Sequence, residues 1–218
     1  MRIVIAGGHG QIALRLERLL SAAGHEVAGI IRNRDQGDDL RAAGAEPVLL
    51  DLETASVEEV AAVLQGAGAA VFAAGAGPGS GTERKDTVDR GAAVLFADAA
   101  ERARVRRYIV ISSMGADAGH EGDDVFDVYL RAKGAADDYV RAKSSLDWTV
   151  LRPGQLTNDA GKGLVRLAAS TGRGPVPRDD VAAVLAEMVE TPATAGLTLE
   201  LISGSTPITV AVKDIAGN

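Results

Sequence analysis

The chain contains no cysteine. Disulfides, thiolate metal sites and cysteine nucleophiles are therefore excluded, and no metal site is expected. Positive charge is not in excess either: 23 Lys plus Arg stand against 30 Asp plus Glu, a net charge of −7. That balance argues against a general nucleic-acid-binding role and leaves only local basic pockets. No run of about 18 apolar residues occurs, so no membrane span is expected. The N-terminus offers one Arg before an apolar run too short for a secretory signal, and a cytoplasmic location is the expectation. Internal repeats, low-complexity tracts and convincing linkers are missing as well. The 218 residues read as one domain, residues 1–218, large enough to bury a core without staples.

What is present begins at once. Ile3, Val4, Ile5 and Ala6 form an apolar run of the kind found in a strand buried on both faces. The run empties into Gly7, Gly8, His9 and Gly10 before a helical pattern starts. Strand, glycine turn and helix together aim the unpaired N–H groups of the helix's first turn at an anion. The spacing Gly7-x-x-Gly10-x-x-Ala13 is a relative of the dinucleotide fingerprint. In that reading Gly7 makes the turn, Gly10 admits the pyrophosphate, and Ala13 lets the helix pack closely on the strand. The alternative is an ordinary strand-to-helix turn in a chain with 26 glycines.

Further along, helical and strand-like periods alternate. Leu14, Leu16, Leu19 and Leu20 mark a first helix closed by Gly24. A second strand, Val27–Ile31, leads into Arg32, Asn33 and Arg34. An acid at the end of this strand grips the ribose 2′-hydroxyl of NAD. Arg32 and Arg34 instead suit a 2′-phosphate, which favours NADP(H) over NAD(H); as a plain alternative they form a solvated loop. A short helix ending at Gly44 precedes a strand, Pro47–Asp51. Asp51 and Leu52 sit where an adenine lies, and Asp51 or Thr54 can equally cap the next helix, Val57–Leu64. The fourth strand, residues 69–74, runs into a glycine-rich loop, Gly75–Gly81, at the position where open α/β sheets bind ligands. A long helix from Arg84 to Arg104 follows, containing Asp89 and an apolar face of Val88, Ala92, Leu95, Phe96 and Ala99. This alternation predicts an α/β fold, a Rossmann-type doubly wound, mainly parallel sheet flanked by helices.

The second informative block starts at a fifth strand, Tyr108–Ser113. After a polar loop, a helix of residues 125–143 carries Tyr129-x-x-x-Lys133 and, ten residues later, Tyr139-x-x-x-Lys143. At this spacing tyrosine and lysine share a helix face, so the ammonium can favour the phenolate. The helix begins beside the carboxyl ends of the strands and runs away from them. Tyr139 therefore lies roughly 15 Å further down the helix, which selects Tyr129 and Lys133 and leaves Tyr139 to core or surface.

Taken together, the run Ala6–Ala13, Ile30–Asn33, Leu50–Leu52, Tyr108–Ser113, Tyr129-x-x-x-Lys133 and Thr149–Gly154 resembles the atypical short-chain dehydrogenases/reductases. It looks closest to their compact NAD(P)H-binding group of biliverdin reductase B-like, NmrA-like and epimerase-labelled proteins. The resemblance covers essentially the whole chain. It implies pyrophosphate contacts at Gly7, His9, Gly10, Gln11 and Ile12, and the 2′-phosphate at Arg32, with Arg34 weaker. Adenine is implied near Asp51 and Leu52, with Ala73, Ala74 and Gly75 lining the adenosine side and Pro153 and Gly154 facing the nicotinamide. Ser113, with Ser112 as the alternative, matches the serine that bonds the substrate oxygen. Tyr129 matches the acid/base, and Lys133 the residue that holds the nicotinamide ribose. Ala6 and Ala13 depart from the glycine motif, and no asparagine can be placed as a fourth catalytic member.

Extended members of that superfamily insert a substrate domain after the sixth strand, here Trp148–Arg152. This chain has only Gln155–Pro177 before a helix at Arg178–Glu190, so a very small C-terminal substrate region is expected. A strand at Leu197–Ile202 and a helix from Thr206–Pro207 through Ala216 complete the reading. The pocket is expected from short loops, with Met114, Val125, Leu156 and Leu164 as an apolar floor and His120 a solvated loop histidine. The expected function is an NADP(H)-dependent oxidoreductase acting on a small carbonyl or hydroxyl substrate as a monomer or small homo-oligomer. The alternatives are an NAD(P)-dependent epimerase/dehydratase and a non-catalytic NADP(H)-sensing protein.

Overall fold

The computed structural model describes residues 1–77 and 79–217. Pro78, within the glycine-rich loop, lies outside the described residues.

Strand β1 (Arg2–Ala6) lies inside the sheet, and Ile3, Val4, Ile5 and Ala6 are completely buried. On one side it pairs in parallel with β2 (Glu26–Ile31), which pairs with β3 (Ala45–Leu49). On the other side lie β4 (Ala69–Phe72), β5 (Arg107–Ile111) and β6 (Asp147–Pro153), again parallel. The connections between them are helical, as parallel strands require. Helix α1 (Gln11–Ala22) links β1 to β2, α2 (Gly37–Ala42) links β2 to β3, and α3 (Val57–Leu64) links β3 to β4.

Alternation along each strand sends side chains to two separate core layers. Ile3, Ile5, Ile109 and Leu151 meet Leu16 and Leu20 of α1, Leu40 of α2, and Val181, Leu185 and Met188 of α7 (Arg178–Glu190). Val4, Phe72, Tyr108 and Val150 meet Val60 and Leu64 of α3 on the other face. Phe96 of α5 (Ala93–Arg102) and Val140 of α6 (Val125–Arg141) pack there too. The doubly wound fold expected from the sequence is thus observed. Its strand order reverses between β1 and β4, so a crevice opens beyond the carboxyl ends of those two strands.

Several boundaries differ from expectation for local reasons. Ser56, not Asp51 or Thr54, caps α3: its hydroxyl accepts from Glu59 N–H, and the Glu59 carboxylate accepts from Ser56 N–H at 2.8 Å. The helix expected from Arg84 starts as a short α-helical turn, α4 (Thr82–Arg84), then runs as a π-helix from Lys85 to Ala92 before becoming α5. The expected pocket loop of residues 155–174 contains two strands. Its β7 (Gln155–Thr157) pairs with β9 (Pro175–Pro177), and β8 (Leu164–Ala168) joins the main sheet antiparallel to β10 (Leu197–Ser203). Period-2 alternation buries Val165 and Leu167 and turns Leu164 outward, so Leu164 is no part of a pocket floor. The chain closes with a two-residue strand β11 (Thr206–Pro207) against β8 and with α8 (Ile208–Ala216).

Candidate active site

At the crevice Gly7 adopts φ +79°, and a Cβ there would lie 2.6 Å from the Ala74 Cα. Only glycine lets β1 turn this close to the end of β4. Gly10 N–H donates to Gly7 O at 2.9 Å, closing the turn at the start of α1. Gly10, the N-cap of α1, has no side-chain cap, and the first turn of α1 carries no acid. The helix's leading N–H groups therefore face the crevice without a competing carboxylate, which fits a bound pyrophosphate.

Two cavities meet at Gly10 and the Ala73–Gly75 segment. The first, of about 300 Å³, is lined by Gly7, His9, Arg32, Asp51 and Leu52. The second, of about 600 Å³, is lined by Gln11, Ile12, Tyr129, Lys133 and Pro153. A continuous pair of clefts on either side of a helix N-terminus fits the two halves of a dinucleotide. His9 reaches across to α2, its Nε2 lying 2.7 Å from Asp39 Oδ2.

Three expected site residues lie outside both linings. Arg34 belongs to the exposed 3₁₀ turn Arg34–Gln36, which carries its side chain past the cleft, and Gln36 lines the cleft in its place. Gly154 is a packing glycine: its N–H donates to Leu201 O, and a Cβ would lie 2.1 Å from Gly174 O. Ser113 is replaced at the cleft by Ser112. Continuing the alternation of β5, Ser112 follows Tyr108 and Val110 towards the α6 layer, while the Ser113 hydroxyl donates to the adjacent Met114 carbonyl. Met114 likewise lines neither cleft, whereas Val125 and Leu156 do supply apolar wall.

Ser112 is held by a buried network. Its hydroxyl donates to Asp137 Oδ2 at 2.8 Å, and Arg152 donates to the same oxygen through Nε at 2.9 Å and Nη2 at 2.7 Å. Burial pushes the Asp137 carboxyl up, against the opposing pull of Ser112 and Arg152.

Around Tyr129, helix α6 faces the π-helical segment. Lys133 is buried, and its ammonium donates to the carbonyls of Ile111 at 3.1 Å and Ala74 at 3.5 Å. Lys85 is buried too, donating to Gly77 O at 3.0 Å with Nζ 5.3 Å from the Tyr129 ring centroid. Phe126 stacks on Tyr129 with ring centroids 5.9 Å apart. Lys85, Asp89 and Phe126 escaped the sequence reading as site residues, although a carboxylate at 89 beside the apolar positions 88 and 92 was the available signal. The second tyrosine–lysine pair is structural: Tyr139 donates to Asp98 at 2.7 Å and Lys143 binds Asp98 and Glu101, fastening α6 to α5. His120 lies in the loop before α6, partly open to solvent, with its Nε2 2.9 Å from Asp127 Oδ1 at the start of that helix. No cluster of His, Asp or Glu suited to a metal ion occurs among the described residues, nor a helix long and apolar enough to cross a membrane.

Comparison with known proteins agrees with this geometry. A family model described as NAD(P)H-binding matches residues 7–192. The uncharacterized sugar epimerase YhfK of Bacillus subtilis is 35% identical over 216 residues, 99% of this chain and 100% of that protein. A solved Bacillus halodurans structure, assigned as an NAD-dependent epimerase/dehydratase, is 35% identical with a TM-score of 0.90, covering 98% of this chain and 99% of that one. The anaerobillin reductase ChuY from Escherichia coli O157:H7 is 26% identical with a TM-score of 0.77, covering 93% and 97%. The chain belongs to the NAD(P)H-binding family, among oxidoreductases and epimerases of Rossmann-like fold.

Proposed function

We propose that the protein is an NADP(H)-dependent oxidoreductase that interconverts a small carbonyl compound and its alcohol, with Tyr129 as the acid/base. The observation that carries this reading is that Tyr129 lines the same cleft as Gly10, Gln11, Ile12 and Pro153, where the nicotinamide half fits. When bound, the nicotinamide supplies or accepts the hydride.

The chain's own residues do the rest. The leading N–H groups of α1 take the pyrophosphate, and Arg32 pairs with the 2′-phosphate. Tyr129 gives a proton to the substrate oxygen in reduction and takes it back in oxidation. The Ser112 hydroxyl accepts from the alcohol form while still bonded to Asp137, or turns from Asp137 to donate to the carbonyl form, and so orients the same oxygen. Lys133 ties α6 to the carbonyl ends of β4 and β5, which fixes where Tyr129 stands. Val125, Phe126 and Leu156 exclude water on the open side.

The names of the relatives favour a second reading, an epimerase or dehydratase that returns its cofactor unchanged. Titration with NADPH and NADH, on the wild type and on Arg32→Ala, followed by a panel of carbonyl compounds, tests the proposal. A reductase consumes NADPH stoichiometrically, and Tyr129→Phe lowers turnover about a hundredfold or more while cofactor still binds. An epimerase shows turnover with no net consumption. Tyr129→Phe with an intact biological effect identifies a sensor, and binding of neither nucleotide below about millimolar concentration overturns the proposal.

A further inference from the structure

A carboxylate sits in the adenosine-side cleft where an incoming phosphate has to go. Glu53 follows Asp51 and Leu52, lines the cleft, and accepts from four donor groups. These are Arg32 Nη1 at 3.3 Å, Arg84 Nη2 at 2.7 Å, Arg84 Nε at 3.4 Å and Thr87 Oγ1 at 2.8 Å. Asp51 Oδ1 accepts the Glu53 N–H at 3.0 Å, an Asx turn that sets the direction in which the side chain leaves the backbone. The hydrogen bonds from Arg84, then Thr87, hold the Glu53 carboxyl below the usual carboxylate range.

Arg32 comes from the end of β2 and Arg84 from α4, segments far apart in the chain that meet at this carboxylate. Both guanidinium groups line the cleft, and both remain partly open to solvent, so their partner can exchange. A guanidinium accepts a carboxylate or a phosphate through the same forked geometry. With Asp51 in the same lining, two arginines and two carboxylates balance, so the arginines are free to take a phosphate only as Glu53 gives way.

We infer that Glu53 is an internal stand-in for the cofactor's 2′-phosphate: it holds Arg32 and Arg84 in position, the phosphate competes with it for them, and Arg84 is a second phosphate-binding residue. Glu53 then sets the discrimination between phosphorylated and unphosphorylated dinucleotide, because its charge opposes a phosphate brought alongside, whereas a free 2′-hydroxyl brings no charge and finds an acceptor in either glutamate or glutamine. The inference rests on reading this cleft as a 2′-phosphate site.

The test is equilibrium titration of the full chain with NADPH and with NADH, for the wild type, Glu53→Gln, Arg84→Ala and the double variant. Glutamine keeps the shape and one acceptor but removes the charge. Glu53→Gln is expected to tighten NADPH about tenfold and leave NADH within about twofold. Arg84→Ala is expected to weaken NADPH about tenfold with NADH again within about twofold, and the double variant to lose the gain. NADPH binding that is unchanged or weaker in Glu53→Gln, or parallel shifts for both nucleotides, overturns the inference. The NADP reading fails separately: a wild type that binds NADH at least as tightly as NADPH removes it. The inference then survives only if Glu53→Gln reverses the preference.

Discussion

The Lys133 ammonium lies 3.4 Å from Asp89 Oδ1, and both side chains are almost wholly buried between α6 and the π-helical segment. Asp89 is the carboxylate paired directly with Lys133, whose ammonium otherwise donates to the neutral carbonyls of Ile111 and Ala74. Removing one member of a buried pair leaves the other charge without compensation. Asp89→Ala is therefore expected to destabilise the fold by about 3 kcal/mol, measured as a lower urea midpoint. Asp89→Asn, which keeps the shape and an acceptor, is expected to cost less. Equal stability of Asp89→Ala and the wild type contradicts the pairing.

The two serines after β5 give a sharper contrast. Ser112 lines the cleft and is anchored on Asp137, whereas the Ser113 hydroxyl donates to its neighbour's carbonyl. With any carbonyl compound the wild type reduces, Ser112→Ala is expected to lower kcat/KM by about a hundredfold or more. Ser113→Ala is expected to stay within about twofold. Reversed sensitivities return the oxygen-binding role to Ser113.

Glu17 of α1 is fully buried beneath the glycine turn, and neither carboxyl oxygen has a hydrogen-bond partner among the described residues. Burial pushes its pKa up to about 8 from an ordinary 4.5. In the window between those values the folded protein keeps a proton that the unfolded chain has released. Stability contributed by this site therefore falls as pH rises from about 4.5 to about 8 and is level outside that range. Glu17→Gln is expected to match the wild type near the bottom of the window and exceed it by a few kcal/mol above its top. Urea midpoints of both proteins across the range measure the difference; a constant difference removes the claim.

Gly134 sits on α6 where the loop after β5 crosses it. A Cβ there would lie 2.2 Å from the backbone of Asp117 and Ala118. Gly134→Ala, a helix-favouring change in isolation, is expected to destabilise by about 1–3 kcal/mol through overpacking. An increase in melting temperature shows that the loop can move aside.

The parts visible in the sequence are those written as local period or local turn chemistry. The buried run of β1, the Gly7 turn, α3 and α7 follow from neighbouring residues alone, and their expected limits agree closely with the structure. β8 is not legible in the sequence because Leu164 to Ala168 is a short segment that pairs with β10 and β11, both distant in the chain. At the site, glycines and cleft-lining positions were readable because they are tied to strand ends. Which serine faces the cleft depends on where β5 stops alternating. The Glu53 cluster depends on Arg84 arriving from another segment, information that no local window contains.

The π-helical stretch from Lys85 to Ala92 has a genetic consequence. A wider helix holds an extra residue relative to the α-helical path through the same space. Deleting one residue from this stretch lets it relax to ordinary helix with Arg84 still facing Glu53, whereas a length change that the wider turn does not absorb rotates everything before it by about 100° around the axis. In that case Arg84 turns away from Glu53 even though every member of that cluster is still encoded. The Arg84–Glu53 pairing is thus written partly in the number of residues between α4 and α5, and a length change there can break it as surely as a change of side chain.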